Sequence, residues 1–363
     1  GSDDFDVYGE NFISASALAA EGLMVDLFGV PYLGLEEEWW DQRAREQMSI
    51  GGRLYTTCSD FTLLDKHGTW VTFFTKSMIE KFNLDNPYEL VRTGGWTLPV
   101  MIKMCKTVSF EVDGDGVLTE ADSYGTVGES WNITALMLGA DCPTCVKDNK
   151  DIPQLNLESE RVIDAFEMAS SIIGDKSISL FTDRIKGSYN DKWIDCFGGM
   201  MSDDRALFYI TGMNRVILLR GIDMEFGIIP NPKYDEHQEG YSCVCSHNNT
   251  NAISIPITNI ELERTGIILE ALTFESSQTT LPAYIEISVK TKYSRDSESA
   301  DMLDLILDSR CFDLGIVFNW GIDSMFTRVM TSGREGFVST VASNAESYKA
   351  VIKKTMDQFT NLG

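Results

Sequence analysis

Apolar residues along the chain follow two alternating patterns, and these predict strands and helices in turn. Short aromatic or β-branched runs between polar turns are typical of buried strands, and they lie at Phe5–Tyr8, Arg53–Thr57, Trp70–Phe74, Tyr124–Val127, Ala206–Ile210, Glu225–Ile229 and Ala252–Pro256. Apolar positions at helical spacing predict helices at Ser14–Gly22, Ser77–Phe82, Thr97–Val108, Ser159–Ile173, Ile260–Ser276 and Ser347–Leu362. This alternation predicts an α/β fold with mostly parallel sheets and helices on both faces.

Local signals mark some of the boundaries between these elements. Gly22 is expected to end the first helix, and Thr97 is placed to act as the N-cap of a later one. The run Asp113-Gly114-Asp115-Gly116 is a strong loop signal and a candidate domain edge. The sequence contains no internal repeat and no low-complexity segment.

Length and composition limit the classes of function. The 363 residues, of which 43% are hydrophobic, suffice for two or three domains with sizeable cores. Acidic residues outnumber basic residues by 55 to 30, and the net charge of −25 disfavours nucleic acids and anionic membrane surfaces as partners. No apolar run approaches the length of about 18 to 20 residues that spans a bilayer.

Eight cysteines include two pairs that are close in sequence, Cys142-Pro143-Thr144-Cys145 and Cys243-Val244-Cys245. The spacing of the second pair does not suit a zinc knuckle. The first pair lies in a polar loop, whereas a thioredoxin-like redox motif opens a helix after a strand. We therefore expect buried thiols together with one or two disulfides.

Several separated blocks match one family in order. They are Trp39-Trp40, Ile50–Tyr55, Phe73–Lys76, Tyr88–Val91, Gly95–Leu98, Asp122–Gly125, Phe226–Asp235 with Gln238 and Tyr241, Ala283-Tyr284, Arg295-Asp296 and Met302–Asp304. Together these blocks resemble bacterial extracellular solute-binding proteins, and most closely the carbohydrate-binding lipoproteins of ABC importers. The resemblance covers nearly the whole chain.

The resemblance implies a two-lobe α/β fold of the type II periplasmic-binding-protein kind. It assigns residues 1–122 plus 249–292 to the first lobe and residues 123–248 plus 293–363 to the second. The chain is expected to cross between the lobes near Asp122-Ser123, within Asn249–Ala252 and within Tyr284–Tyr293. The strand-helix-strand segment that opens the family has no counterpart here, which implies an incomplete sheet or an exposed edge in the first lobe.

The same resemblance implies a function without catalysis or a cofactor. A monomer of this kind captures a sugar or oligosaccharide between its lobes and delivers it to the permease of an ABC transporter. It works outside the cell membrane, in the periplasm or at the cell surface, and meets the membrane only through an N-terminal lipid anchor that has been removed here together with any export signal. A glycosidase and a ligand sensor for a receptor kinase are the alternative functions.

Candidate ligand-binding residues follow the predicted strands, because ligands of open α/β sheets bind beyond the carboxyl ends of the strands. They are Glu10, Asn11, Asp60, Glu129, Trp131, Asn214 and Arg215. Their carboxylates, amides and guanidinium can pair with sugar hydroxyls, and the Trp131 indole can stack on a sugar ring. The alternative for Trp131 is packing at the start of the following helix.

Other tryptophans are assigned from the resemblance. Trp320 lies where sugar-binding relatives often place a second stacking aromatic, and the alternative is a core position within an apolar run. Trp39, Trp40 and Trp96 match blocks that imply packing within the lobes. For Trp70 and Trp193 the sequence does not decide between a packing role and a binding role.

The loop from Glu111 to Asp122 has the donor spacing of a calcium-binding loop. Its oxygen donors are Glu111, Asp113, Asp115, Thr119 and Asp122, and glycine stands at the sixth position. Glu at the first position and Asp at the twelfth depart from the usual pattern. A structural calcium ion and a solvated acidic turn are the two interpretations.

Overall fold

The computed structural model describes residues 4–219, 221–286, 297–332 and 336–360. Its strands are β1 Tyr8–Glu10, β2 Trp70–Thr75, β3 Tyr124–Gly128, β4 Cys145–Lys147, β5 Pro153–Leu155, β6 Ser179–Phe181, β7 Ala206–Gly212, β8 Phe226–Ile229, β9 Cys243–Val244, β10 Ala252–Ser254 and β11 Arg310–Cys311.

Helices occupy most of the remaining described chain. They are α1 Phe12–Ala20, α2 Gln42–Met48, α3 Leu64–His67, α4 Lys76–Lys81, α5 Pro87–Arg92, α6 Leu98–Val108, α7 Asn132–Gly139, α8 Glu160–Ile173, α9 Phe197–Ser202, α10 Val216–Leu219, α11 Leu262–Gln278, α12 Thr280–Ala283, α13 Ser297–Asp308, α14 Leu314–Val317, α15 Ile322–Ser332 and α16 Phe337–Thr360. Single 3₁₀ turns lie at Leu27–Gly29, Thr182–Arg184 and Met213–Arg215, and a π-helical turn lies at Lys192–Cys196.

A five-stranded mixed sheet is the centre of the fold. Its strand order is β6-β3-β7-β2-β8. β3 pairs in parallel with β6 and with β7, whereas β2 pairs antiparallel with β7 and with β8. The fully buried runs in β2, β3 and β7 explain this position, because strands covered on both faces read as continuous apolar segments.

Successive side chains of the sheet point to opposite faces and pack in two separate cores. Phe74 on β2 packs in a core that includes α6, α7 and α8, and its neighbour Phe73 packs in a second core with α9 and α13. This alternation follows from the two-residue repeat of a strand. The predicted arrangement of helices on both faces of a sheet is therefore confirmed.

A third core lies under the small antiparallel pair β1–β10 and includes Phe12, Trp40 and Ile253. Trp39 and Trp40 both pack here against α11, where their indole N–H groups donate to Glu270 at 2.8 and 3.0 Å. A carboxylate shared by two indoles fixes both rings, as the packing interpretation of this tryptophan pair expects.

Two predicted strands differ from the structure. The first strand begins at Tyr8 and runs to Glu10 rather than covering Phe5–Tyr8, so Glu10 lies in the strand and not after it. Arg53–Thr57 forms no strand, since it makes only single bridges, from Arg53 to Ile50 and from Thr57 to Ile253. The apolar residues of that segment are buried by tertiary packing instead.

Most predicted helices are present with shifted ends. Ser159 caps α8 by accepting a hydrogen bond from the backbone of Val162, whereas Thr97 stands at the N-cap of α6 without such a side-chain bond. The last helix begins at Phe337, well before the predicted Ser347, and its final predicted residues lie outside the described chain.

The position of β2 bears on the predicted lobes. The strand Trp70–Thr75 pairs with β7, in the same sheet as β3, although the predicted division places it in the first lobe. The predicted division therefore separates strands that share one sheet, because backbone pairing joins β2 to strands that the division places in the second lobe. The other boundaries stay a prediction, and both residues 287–293 of the third crossing and the Arg295-Asp296 block lie outside the described residues.

All eight cysteines are described, and each is a free, buried thiol. The expected disulfides are therefore absent, and the expected buried thiols are present. In the described parts of the chain no helix is both long and apolar enough to span a membrane.

Candidate functional site

A polar cavity of about 330 Å³ lies where the β1–α1 junction, α3, the turn after β7 and the segment before β10 meet. It is lined by Glu10, Asn11, Leu64, His67, Asn214, Asn248, Asn249, Thr250 and Asn251. Three residues that the sequence predicts as ligand-binding, Glu10, Asn11 and Asn214, are thereby brought together from positions far apart in the chain.

The lining of the cavity is rich in groups that pair with hydroxyls. Amides both donate and accept hydrogen bonds, and Glu10 adds acceptors. Asn11 is partly committed, because its side chain accepts a hydrogen bond from the backbone of Ser14 as the N-cap of α1. Asn214 lies on the 3₁₀ turn that follows β7 and is half-buried.

His67 is a cavity residue that the sequence reasoning missed. No described residue pairs with its buried Nε2 atom, and its ring lies 5.0 Å from that of Tyr284. Burial lowers the pKa of His67, with Asp65 acting in the opposite direction. The ring is therefore neutral at neutral pH, so one of its nitrogens donates and the other accepts. Its place on α3, a single turn without clear periodicity, gave no sequence signal.

Trp131 forms an aromatic wall next to the cavity. Its ring lies 4.7 Å from Trp70 and 5.6 Å from His247, and its indole N–H donates to Asp323 at 3.2 Å. His247 connects this wall to the cavity, because its Nε2 lies 2.9 Å from the side-chain amide of Asn248. The half-buried Trp131 thus packs on one side and keeps part of its surface open.

Gly128 explains how the chain leaves β3 toward Trp131. Its φ of +151° is rarely adopted by other residues, and a Cβ there would lie 2.3 Å from the side-chain nitrogen of Asn132. The turn therefore requires glycine.

Glu129 and Arg215 lie beside the cavity but do not line it. The indole N–H of Trp193 donates to Glu129 at 2.7 Å, and the Arg215 guanidinium lies 5.4 Å from the centre of the same indole ring. The two predicted residues are therefore linked through a tryptophan that the sequence left undecided.

Two predicted residues lie elsewhere. Asp60 does not line the cavity, and its carboxylate lies 4.0 Å from the buried amine of Lys66. Burial raises the pKa of Asp60 to about 6, against the lowering effect of Lys66. Trp320 is only 4% exposed, and its indole N–H donates to Thr355 at 3.1 Å. An indole that is buried with its N–H satisfied is in the geometry of a core residue.

The acidic loop brings together three of the four acidic residues that are predicted as metal ligands. Glu111, Asp113 and Asp115 are exposed, and each offers a carboxylate oxygen within 4.8 Å of the others. Asp122 is fully buried, and its two oxygens accept hydrogen bonds from the backbone of Val112 and Thr119, both at 2.8 Å. The prediction of Asp122 as a ligand is therefore corrected: its carboxylate closes the base of the loop.

Comparisons with known proteins identify the fold. No family model matches the chain, and no curated protein matches it. Among solved structures it is similar to the galacto-N-biose/lacto-N-biose I-binding protein of an ABC transporter from Bifidobacterium longum, with a TM-score of 0.61 at 12% identity over 99% of this chain and 83% of that one. It is also similar to the sugar-binding protein MalE from Xanthomonas citri. The TM-score is 0.61 at 13% identity, over 97% of this chain and 84% of that one.

UgpB from Mycobacterium tuberculosis, in complex with glycerophosphocholine, gives a TM-score of 0.60 at 16% identity over 98% of this chain and 85% of that one. These neighbours are substrate-binding proteins with the type II two-lobe fold. The chain therefore has the α/β fold that the sequence predicted, although identities this low establish the fold alone.

Proposed function

We propose that the protein is a solute-binding protein that captures a neutral sugar or oligosaccharide and passes it to an ABC transporter. The observation that carries this proposal is the cavity lined by Glu10, Asn11, His67 and Asn214, with the Trp131 wall beside it. Paired donors and acceptors next to a partly exposed aromatic surface suit a polyol with one apolar ring face.

The ligands of the structural neighbours support the same class of solute. The Bifidobacterium longum protein was solved with lacto-N-biose, and a cyclo/maltodextrin-binding protein with a TM-score of 0.62 was solved with maltotetraose. The ABC substrate-binding protein Lmo0181 from Listeria monocytogenes, with a TM-score of 0.59, holds cycloalternan. Glycerophosphocholine in UgpB is a polar solute of a different kind, and it belongs in the ligand screen.

The number of carboxylates that line the cavity favours binding over catalysis. A glycosidase normally uses two carboxyl groups on either side of the bond that it cleaves. Among the described residues that line the cavity, Glu10 is the one carboxylate. We therefore propose capture of the sugar without turnover, which needs no cofactor.

The permease of an ABC transporter is the proposed partner, and the periplasm or the cell surface is the proposed location, with a lipid anchor in the second case. We propose that the protein acts as a monomer. A structural calcium ion held by Glu111, Asp113 and Asp115 is the further proposal for the acidic loop.

A thermal-shift screen against neutral mono- and oligosaccharides tests the proposed function. A ligand that binds the folded state raises its melting temperature. We expect Glu10→Gln and Asn214→Ala to reduce the shift caused by a hit, because both remove groups from the cavity. The exposed Glu239→Gln and Asn149→Ala make the same chemical changes away from the cavity and should leave the shift intact.

The same hits separate a binder from an enzyme. We expect each bound saccharide to be recovered unchanged after prolonged incubation with the protein. Release of a shorter product would contradict the proposal, and so would the absence of any shift across the whole saccharide set.

A further inference from the structure

Glu129, Trp193 and Arg215 form a linked group next to the cavity, here called the Trp193 trio. The indole ring carries Glu129 on its N–H and Arg215 over its face. All three side chains are half-buried, so each keeps part of its surface open. The trio therefore holds one hydrogen-bond acceptor and one multiple donor on a single aromatic ring.

Parallel strand pairing brings the trio to one edge of the sheet. Glu129 follows β3, Arg215 follows β7, and Trp193 lies on the chain after β6. Since β6, β3 and β7 run parallel, their carboxyl ends lie at the same edge. Asn214, which precedes Arg215, lines the cavity, so the trio adjoins the proposed sugar site.

Trp193 is held in place by a local turn at its backbone and by Glu129 at its indole N–H. It lies on the π-helical turn Lys192–Cys196, and Asp191 accepts hydrogen bonds from the backbone N–H groups of Trp193 and Ile194 at 2.9 and 3.2 Å. Turns of this kind are rare and are frequent at functional sites. A ring that is already ordered loses little conformational entropy when a ligand arrives.

The trio has hydrogen-bonding capacity that the described protein does not use. One carboxylate oxygen of Glu129 receives the indole N–H, and the other has no such partner among the described residues. Likewise, no described residue accepts a hydrogen bond from the Arg215 guanidinium, which carries five N–H donors. Adjacent hydroxyls of a sugar ring need one donor and one acceptor side by side, which Arg215 and Glu129 provide.

The charges around the trio favour a neutral ligand. Glu129 and Arg215 carry opposite charges and lie on the same indole ring, so the trio has no net charge of its own. An anionic ligand would be attracted by Arg215 but repelled by Glu129, whereas a neutral hydroxyl can bond to both side chains.

We propose that the Trp193 trio is a second saccharide subsite, so that the ligand is a neutral oligosaccharide of at least two units. One unit occupies the cavity and the next contacts Arg215 and Glu129, while Trp193 positions both side chains. This inference rests on the proposed function and extends it. It names the minimum length of the ligand and the residues that contact its second unit.

The test measures how affinity depends on the length of the sugar. Gluco- and galacto-oligosaccharides of one to four units are titrated by calorimetry against the protein and against Arg215→Met. We expect the second unit to raise the affinity about tenfold or more, as a charge-assisted hydrogen bond does. Arg215→Met should remove most of that gain while leaving the affinity for a single unit unchanged.

Three further variants act as controls. Arg264→Met makes the same substitution at an exposed residue paired with Asp6, and it should change no affinity. Asn214→Ala should weaken binding by a similar factor at every length, because it acts in the cavity. Trp193→Phe keeps a ring but removes the donor to Glu129, so it should lose part of the length gain even if Arg215→Met folds poorly.

Two outcomes overturn the second subsite while leaving sugar binding intact. One is an equal loss of affinity in Arg215→Met at every length, and the other is an unchanged length gain in both Arg215→Met and Trp193→Phe. If no saccharide of any length binds the unmodified protein, the proposed function itself fails and the subsite fails with it.

Discussion

At the scale of single residues, two tryptophans illustrate why aromatic type alone does not define a binding site. Trp131 is half-buried beside His247 and near the cavity, whereas Trp320 lies in the core with its N–H bonded to Thr355. Trp131 therefore stays the predicted stacking residue, whereas Trp320 has the geometry of a core residue. The indole N–H is bonded in both residues, to Asp323 and to Thr355, so the exposed fraction of the side chain is what distinguishes them.

Substituting the two tryptophans should separate these roles. We expect Trp131→Ala to weaken sugar binding by about 1 to 3 kcal/mol, or about 5- to 150-fold in affinity, because a stacking surface is lost. Trp320→Ala should lower the free energy of unfolding by about 3 to 5 kcal/mol and leave the affinity of the folded protein unchanged. Calorimetric titration and thermal melting measure the two effects. A Trp131→Ala protein with full affinity and a much lower melting temperature would place Trp131 in the core.

The half-buried carboxylate of Asp60 gives a prediction for how stability depends on pH. The pKa of Asp60 is raised to about 6 in the folded protein, so the folded state binds this proton more tightly than the unfolded chain does. The ionised form therefore costs stability above about pH 6, and the cost disappears as the pH falls to the unfolded value near about 4.

Asp60→Asn should accordingly raise the melting temperature at pH 7.5, by the equivalent of at most about 3 kcal/mol. The difference from the unmodified protein should shrink steadily on going from pH 7 to pH 4. Asp41→Asn is no substitute as a control, since Asp41 pairs with the buried Arg310, and the exposed Asp148→Asn serves instead. An Asp60→Asn protein that is less stable at pH 7.5 would show that the pairing with Lys66 outweighs the burial of the charge.

At the scale of elements, local sequence signals predicted some boundaries of helices and strands correctly and others incorrectly. Ser159 caps α8 through its side chain, as its position before an amphipathic run indicates. The segment Arg53–Thr57 has the composition of a strand but no neighbouring strand with which to pair along its length. Strand propensity describes how a residue fits a half-buried pleated surface, so it cannot supply the missing partner.

The acidic loop between α6 and β3 gives a prediction for one element. Glu111, Asp113 and Asp115 lie close enough to share a cation, and their mutual repulsion is relieved when one binds. We expect calcium to raise the melting temperature and a chelator to reverse the change, with no effect on sugar affinity. Asp113→Asn together with Asp115→Asn should abolish the response. A melting temperature that ignores both calcium and chelator in the unmodified protein would contradict calcium binding.

At the scale of the whole molecule, the cavity draws its residues from segments assigned to both lobes. Glu10, Asn11 and His67 come from the predicted first lobe, and Asn214 and Asn248 come from the second. A ligand that contacts both sides stabilises the conformation in which they approach each other, because only differential contacts shift such an equilibrium.

Binding should therefore make the molecule more compact. We expect a bound oligosaccharide to lower the radius of gyration measured by solution scattering, as hinge closure of two lobes requires. Asn214→Ala, compared at the same sugar concentration, should show less compaction because it removes a contact from one side. Tight binding with an unchanged scattering curve would contradict closure.

The sequence by itself determined the elements that depend on local pattern. The buried runs Trp70–Phe74, Tyr124–Val127 and Ala206–Ile210 are strands, and the amphipathic run before Ile173 is a helix. The rule that ligand residues follow the carboxyl ends of strands also selected Asn214, which lines the cavity. Such features follow from hydrophobic periodicity and chain direction, which depend only on residues that are close in sequence.

Only the tertiary structure decided which of these residues meet. In the folded chain, Trp70–Thr75 lies in the same sheet as β3, and Asp60 lies beside Lys66. His67 lines the cavity, although it belongs to a turn that gave no sequence signal. The tertiary structure also joined Glu129 to Arg215 through Trp193. These contacts connect residues far apart in the chain, and their energies depend on distance and burial, which a linear pattern does not contain.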